Sequence, residues 1–295
     1  MLDATRLRVL VAVARTGSMT AAARELHYTQ PSVSHHLARL EAETGAALVQ
    51  RVGRGIRLTE AGQLLADRGA EILGRLDAAS TELAAHVGLR MGRVRLTAFP
   101  SALGTFVPKA ASGLVAEHPA LELRLTETEP PEAVRMLRAG DVDVAVVFRY
   151  DDNRLEEDGI RTRLLLAEPT YLVTTDGGGD LTAYRDAPWI AGCERCRGHL
   201  LGMCATAGFQ PRISYETDDY VAVQSLVAAG LGVTTLPGLA LAASHRPDVR
   251  TSSLPDSTRY VLAATYGAPP DPPATAALLD ALADAASGWR ADQTG

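Results

Sequence analysis

Between Asp3 and Gly62 the chain is punctuated so densely by helix stops and caps that few folds can accommodate it. Leu7, Leu10, Val11 and Ala14 recur at helical spacing from Asp3 onward, and Gly17 ends that helix. Ser18 then caps a short second helix over Met19–Leu26, where Ala21, Ala22 and Ala23 leave room for another helix to cross closely. His27-Tyr28 makes a tight turn. Thr29 caps a third helix with Pro31 in its first turn, where a missing N–H costs nothing. Val33, Leu37 and Leu40 form the inward stripe of that helix and Gly45 closes it. From Leu48 to Leu58 the chain reads as two short strands around Val52-Gly53-Arg54-Gly55, a hairpin with glycines at its turn.

Three short helices and an arginine-bearing hairpin compose a winged helix-turn-helix, the unit that lays one helix in the major groove of double-stranded DNA. Charge agrees. The chain carries −6 overall, yet residues 1–60 hold eight arginines against five acids, a local +3 on an acidic body. Phosphate contacts supply most sequence-independent affinity, so a small basic head is what a polyanion site needs. Gln30, Ser32, Ser34, His35 and Arg39 lie on the exposed face of the third helix. Gln and Arg can pair with base edges, while Ser and His suit bases or phosphates. Thr20, Thr29 and Pro31 complete that candidate set, and Arg51 and Arg54 on the wing would meet the backbone or the minor groove.

Thr59 caps a long helix over about Glu60–Val87. Its small or apolar positions, Leu65, Gly69, Ile72, Leu76, Ala79, Leu83 and Val87, step by four and three, which is a coiled-coil seam. The same pattern would serve a helix packed on its own body; dimerisation is the preferred reading, because a DNA-reading head needs a two-fold partner to span two half-sites. Gly88–Gly92 reads as a hinge. Beyond it strands and helices alternate as an α/β domain with two sheets: strands at Val94–Thr97, Leu121–Glu127 and Val142–Phe148, helices over about Ser101–Glu117 and Pro131–Arg138. A second set follows, with strands at Tyr171–Thr174, Trp189–Ala191, Arg212–Glu216, Gly232–Leu236 and Tyr260–Thr265. Its helices cover about Arg197–Ala207, Tyr220–Ala229 and Ala274–Ser287. The chain can cross between the sheets near Glu168–Thr174 and again near Arg259–Thr265.

At 295 residues the chain exceeds what one core usually supports. Its start lacks the basic-then-apolar order of a signal peptide, and no stretch approaches the roughly 20 apolar residues of a membrane span. Three clustered cysteines imply no disulfide framework, so the cytoplasm is the expected location. There is no Walker loop, no His-Glu-x-x-His and no Gly-x-Ser-x-Gly, hence no catalytic residues, cofactor or metal are expected and an enzyme is not.

Ser18-Met-Thr20-Ala-Ala-Ala-Arg-Glu-Leu26, Thr29-Gln-Pro-Ser-Val-Ser34, Leu40-Glu41, Gly45 and Leu58-Thr59-Glu-Ala-Gly62 together resemble the signature of the LysR-type transcriptional regulators. One departure is Leu48-Val49, where the family usually places Phe after the leucine. The rest resembles the family's effector domain more loosely, through Leu226-Val-Ala-Ala-Gly-Leu-Gly-Val-Thr-Thr-Leu-Pro237 and overall length. The resemblance implies a homodimer or homotetramer that binds operator DNA, with RNA polymerase as a further partner. It also implies a periplasmic-binding-protein-like domain that clasps a small-molecule effector. The expected layout is a DNA-binding head over 1–58, a linker helix over 59–88 and an effector domain over 92–295. Within the last, lobe I covers about 92–168 and 266–295 and lobe II about 169–265.

Two strand-to-helix junctions, Phe99-Pro100-Ser101 and Gly192–His199, are the expected cleft walls. Free N–H groups at helix starts favour a carboxylate or other anion. Ser101, Phe148, Cys193, Arg195 and Thr235 are the candidate effector contacts. Cys193-x-x-Cys196-x-x-His199-x4-Cys204 superficially has zinc-ligand spacing, but a helix over 197–207 would carry Cys204 about 12 Å along the axis from Cys196. A thiol pair with redox chemistry and plain core packing both stay open.

Overall fold

The computed structural model describes residues 2–52, 55–86, 92–150, 159–177 and 179–292. They pack as two compact units: one holds the chain through the first long helix together with Arg135–Val142, the other holds the remainder.

The first unit opens with α1 (Ala4–Thr16), α2 (Met19–Glu25) and α3 (Gln30–Thr44). Each start is capped as the sequence dictates. Asp3 accepts from the N–H groups of Thr5 and Arg6, Ser18 from Ala21 and Thr29 from Ser32. Gly17 and Gly45 close α1 and α3 in the left-handed conformation that a glycine adopts without strain. Strands β1 (Val49–Val52) and β2 (Gly55–Leu58) pair antiparallel, Val49 opposite Leu58. Then comes α4 (Glu60–His86), started by the Thr59 hydroxyl, which accepts from the Gly62 N–H. Val9, Leu10, Val33, Leu37, Leu40 and Leu48 form the core, and Val49 packs half-buried at its margin, so the missing Phe leaves the wing anchored. Glu41 fastens the wing to α3 by accepting from the N–H groups of Leu48 and Val49, at 2.7 and 3.2 Å.

The apolar stripe of α4 divides in two. Gly69 lies against the Leu7 and Val11 side chains, and Leu65 borders the core, so the first turns pack on the head itself. Further along, Ile72, Leu76 and Leu83 stand 42, 50 and 64% exposed. Val87 and the hinge expected at residues 88–92 fall, except for Gly92, outside the described residues. No helix among the described residues is long and apolar enough to cross a membrane.

In the second unit β3 (Arg93–Ala98) leads through α5 (Pro100–Leu103) and α6 (Phe106–Glu117) to β4 (Glu122–Glu127). The single helix expected over Ser101–Glu117 is broken at Gly104-Thr105. Pro108 has no N–H for the turn before it, and a side chain at Gly104 would collide with the Tyr220 hydroxyl. Next come α7 (Pro130–Ala139), which from Arg135 onward is grouped with the first unit, the buried β5 (Val144–Arg149) and β6 (Ile160–Thr174). After a 3-10 turn at Leu181–Tyr184 follow β7 (Pro188–Ala191), α8 (Glu194–Thr206), β8 (Arg212–Glu216) and α9 (Tyr220–Ala228). The chain ends with β9 (Thr234–Pro237), α10 (Gly238–Ala243), β10 (Arg250–Tyr266) and α11 (Pro273–Asp292).

Two sheets with the chain crossing between them were the expectation; the two found are unequal, a six-stranded sheet ordered β4-β3-β5-β10-β6-β9 and a two-stranded β7-β8. The difference comes from β6 and β10, which run antiparallel to each other for their whole length. Their Ile160–Pro169 and Thr258–Tyr266 portions belong with β5, β3 and β4; of the remaining portions, that of β6 pairs with β9 and that of β10 with β6. A register irregularity between Leu254 and Thr258 marks where one half of the domain passes into the other. Phe99, Phe148, Leu165, Val261 and Leu278 lie in the core of the first half; Trp189, Leu200 and Cys204, and separately Val173, Ile190 and Val227, lie in cores of the second.

Candidate nucleic-acid interface and ligand cleft

The described candidate residues of the head lie on α2, on α3 and at the start of α3. Thr20, Thr29, Gln30, Pro31, His35 and Arg39 are exposed, and Ser32 and Ser34 half-buried. Thr29 is partly committed as the cap of α3, and the Gln30 amide rests on the Met19 sulfur at 3.7 Å. Tyr28 and His36 stack, ring centroids 5.7 Å apart. Arg6 pairs with Glu43 and Arg15 with Glu25, which commits two arginines and two of the five acids and leaves the local excess of +3 unchanged. Among the described residues Arg8, Arg24, Arg39 and Arg57 are exposed and form no ion pair. Arg51 lies in β1 with its side chain outside the described set, as is Arg54 altogether.

In the second unit a cavity of about 70 Å³ forms where the two halves of the domain meet. Ser101, Phe148, Cys193 and Thr235 line it; Arg195 does not, and instead lines a neighbouring open groove of about 880 Å³ with Arg149 and His199. The Arg195 guanidinium reaches the Phe148 carbonyl from that side, at 3.5 Å.

Sequence reasoning missed the group around which the cavity is built. Arg259 of β10 is 2% exposed and faces Glu168 of β6 across the ladder. Its Nε donates to Glu168 Oε1 at 2.7 Å, and its Nη2 donates to Ser101 Oγ at 2.9 Å. The other Glu168 oxygen accepts the Leu239 N–H at the start of α10. The guanidinium also lies 4.9 and 4.8 Å from the ring centroids of Phe99 and Phe148. Burial works against the Arg259 charge, but Glu168 outweighs it and holds the arginine protonated. The signal in sequence is a charge bordering an apolar run in each strand, Glu168 after Leu164–Ala167 and Arg259 before Tyr260–Ala264.

Cys193 caps α8 and Cys196 follows one turn later, so the helix begins three residues before the expected Arg197. The Cys193 thiol donates to Cys196 Sγ at 3.1 Å, and the Tyr150 hydroxyl donates to the same sulfur at 3.4 Å. Cys193, Tyr150 and the Arg259 charge together lower the Cys196 pKa despite its burial. Hydrogen bonding to Cys196 and burial push Cys193 up. Glu129, also on the cavity, has its carboxyl raised by burial, and its Oε2 has no hydrogen-bond partner among the described residues. Cys204 sits in the core beside Trp189 and Leu200, its thiol pushed up to about 11 by burial. Among the described residues no cluster could hold a metal ion.

A DNA-reading head joined to a two-part α/β domain with an interior cleft defines a ligand-binding class of transcription regulator. Residues 4–63 match the model of the bacterial regulatory helix-turn-helix proteins of the lysR family, and residues 88–287 match the LysR substrate binding domain. The chain belongs to the LysR family: it is a DNA-binding transcription regulator with a substrate-binding domain, not an enzyme. It is similar to the probable HTH-type transcriptional regulator LrrA of Synechococcus elongatus, 29% identical over 98% of this chain and 99% of that one. It is also similar to the regulator TfdS of Cupriavidus pinatubonensis, 28% identical over 93% of this chain and 96% of the relative. The fold is shared with crystal structures of the regulator CbnR (22% identity, TM-score 0.64, 97% of this chain and 99% of that one). A full-length OxyR from Pseudomonas aeruginosa shares it too (22% identity, TM-score 0.71, 97% and 95%).

Proposed function

We propose that this protein is a sequence-specific operator-binding regulator whose affinity for DNA is set by a small-molecule effector held in the cleft of its second unit. The reading assigns residues 1–58 to DNA, 59–88 to a linker helix and 92–295 to the effector. The lobes are the expected ones, 92–168 with 266–295 and 169–265. The observation that carries it is the convergence of Ser101, Phe148, Cys193 and Thr235 on one cavity between two halves of a domain. A ligand there touches both halves at once, and a ligand that binds one arrangement better shifts the population toward it.

The exposed Ile72, Leu76 and Leu83 supply the dimer seam, so the head is presented twice to a two-fold site. RNA polymerase is the partner of the resulting complex, and the cytoplasm, where chromosome and polymerase meet, is where it acts. Arg195 lines the neighbouring groove rather than the cavity, and the Arg259 charge on the cavity is already answered by Glu168, so an anionic effector would meet a free positive charge only by extending into that groove.

Selection of sites from a random duplex pool followed by anisotropy titration tests the DNA face. Gln30→Ala should cost about 1–3 kcal/mol and relax preference at one base position. Arg51→Ala should weaken all sequences alike and lower the salt slope by about 1. Unchanged affinity in both variants overturns the assignment of these faces. For the cleft, a thermal-shift screen of small carboxylates should give hits that Thr235→Val abolishes; hits indifferent to it place the effector elsewhere.

A further inference from the structure

The cavity is small, and its most reactive occupants are two thiols. About 70 Å³ holds only a few water-sized molecules, far below the roughly 300 Å³ at which drug-sized pockets begin. Cys193 and Cys196 both line it and both are half-buried, so a solute in the cavity meets sulfur. Their Sγ atoms are 3.1 Å apart, and a disulfide needs about 2.05 Å. Cys193 is the cap of α8, at φ −54° and ψ 164°, outside helical geometry, which turns its side chain back along the first turn toward Cys196. The bond can therefore close without unwinding the helix.

We propose that Cys193 and Cys196 are an oxidisable dithiol, converted to an intramolecular disulfide by a small hydroperoxide that enters the cavity, and that this conversion alters operator affinity. The second clause rests on the function proposed above; the first stands without it. The Cys196 thiolate attacks one peroxide oxygen. An S–O bond forms as the O–O bond breaks, giving a sulfenic acid at Cys196 and an alkoxide or hydroxide that takes up the proton Cys196 gave away. Cys193 sulfur then attacks Cys196 sulfur, and the Cys193 proton leaves with the sulfenic hydroxyl as water. The dithiol loses two electrons and two protons, and the hydroperoxide becomes an alcohol, or water, plus water.

The surroundings assign the roles. Cys196 receives hydrogen bonds from Cys193 and from Tyr150 and feels the Arg259 charge, so its thiolate is the stabilised one and it attacks first. The signal has a route. Tyr150 follows β5, its ring stacks on His199 of α8 with centroids 3.8 Å apart, and its hydroxyl holds Cys196. Together with the Arg195 contact to the Phe148 carbonyl, this tie joins β5 of one half to α8 of the other. Engaging Cys196 in a disulfide removes the sulfur that Tyr150 binds and loosens the tie.

The test uses the full reduced chain and hydrogen peroxide. Alkylation should count three thiols before oxidation and one after, the survivor being Cys204, with a Cys193–Cys196 linked peptide in the digest. Cys193→Ser should stop at a sulfenic acid on Cys196 that dimedone traps. Cys204→Ala should respond as the wild type. Unchanged alkylation, or a disulfide that includes Cys204, overturns the proposal. In anisotropy titrations oxidation should move operator affinity about fivefold or more in the wild type and leave that of Cys196→Ser where it stood before peroxide. A disulfide that forms with no change in affinity overturns the regulatory half. A reduced chain that binds no selected duplex instead defeats the operator reading and leaves the mass and alkylation results to judge the chemistry.

Discussion

Replacing Arg259 by Met isolates the charge pair at the crossing of β6 and β10. At an effective dielectric of about 20 the Arg259–Glu168 attraction is worth about 4 kcal/mol, and desolvating the two ions costs a comparable amount, so the intact pair adds little net stability. Removing one ion is a different matter. Glu168, 1% exposed, would keep only the Leu239 N–H, and stranding such a buried charge costs about 3–5 kcal/mol. Met fills most of the vacated volume, so the loss reports charge rather than a cavity. Both tryptophans, Trp189 and Trp289, lie in the second unit, so urea unfolding followed by tryptophan fluorescence reads that unit within the full chain. Adding Glu168→Gln, whose amide oxygen can still accept from Leu239, should bring the double variant back to within about 2 kcal/mol of wild type. A single-variant cost below about 1 kcal/mol, or losses that simply add, would refute the claim that Glu168 is a buried carboxylate held by one arginine.

Gly62→Ala should unfold the head, since its Cβ would lie 1.9 Å from the Leu48 carbonyl oxygen; we expect a loss of about 3 kcal/mol or more in a circular-dichroism melt. Leu76→Glu with Leu83→Glu should halve the mass seen by light scattering, and an unchanged mass would take the seam away from these residues. Glu129 has a folded pKa raised by burial, so the folded state holds its proton more tightly than the unfolded chain does. Stability from this group is therefore full below the ordinary value of 4.5 and falls as pH rises through the elevated one. Urea midpoints between pH 4 and 8 should decline more gently in Glu129→Gln than in wild type, and parallel profiles would exclude the effect.

The head was legible because its structure is local. Each helix start and stop between Asp3 and Thr59 is decided by a cap within three residues, and the structure places those ends within a residue of expectation. The second unit was legible only where strands are short and buried on both faces, as β5 is. β6 was read as Tyr171–Thr174 because Glu168 and Pro169 interrupt its apolar run; in the ladder Pro169 stands opposite Thr258, beside the irregularity. β10 was read from Tyr260 because Arg250–Ser257 has the polar and Pro-Asp composition of a loop, and only pairing with β6 makes it a strand.

The same contrast governs the chemistry. Cys193 and Cys196 were visible as a pair, because only two residues stand between them in the sequence. Arg259 and Glu168 were not, because they lie 91 residues apart and nothing local says that their strands share a register. Yet the distant pair adds to the properties of the near one, whose own hydrogen bond from Cys193 is the largest influence lowering Cys196. Without Arg259 held protonated by Glu168, the charge that favours a thiolate at Cys196 is gone, and only the hydrogen bonds from Cys193 and Tyr150 would support it. A C-x-x-C at a helix start is a common pattern with several uses. This one takes part of its tuning from a strand register, so Arg259→Met should slow peroxide oxidation of Cys196 even in molecules that remain folded, read as the rate of dimedone labelling in a Cys193→Ser background. Equal rates with and without the arginine would mean that the thiol is tuned by its own helix alone.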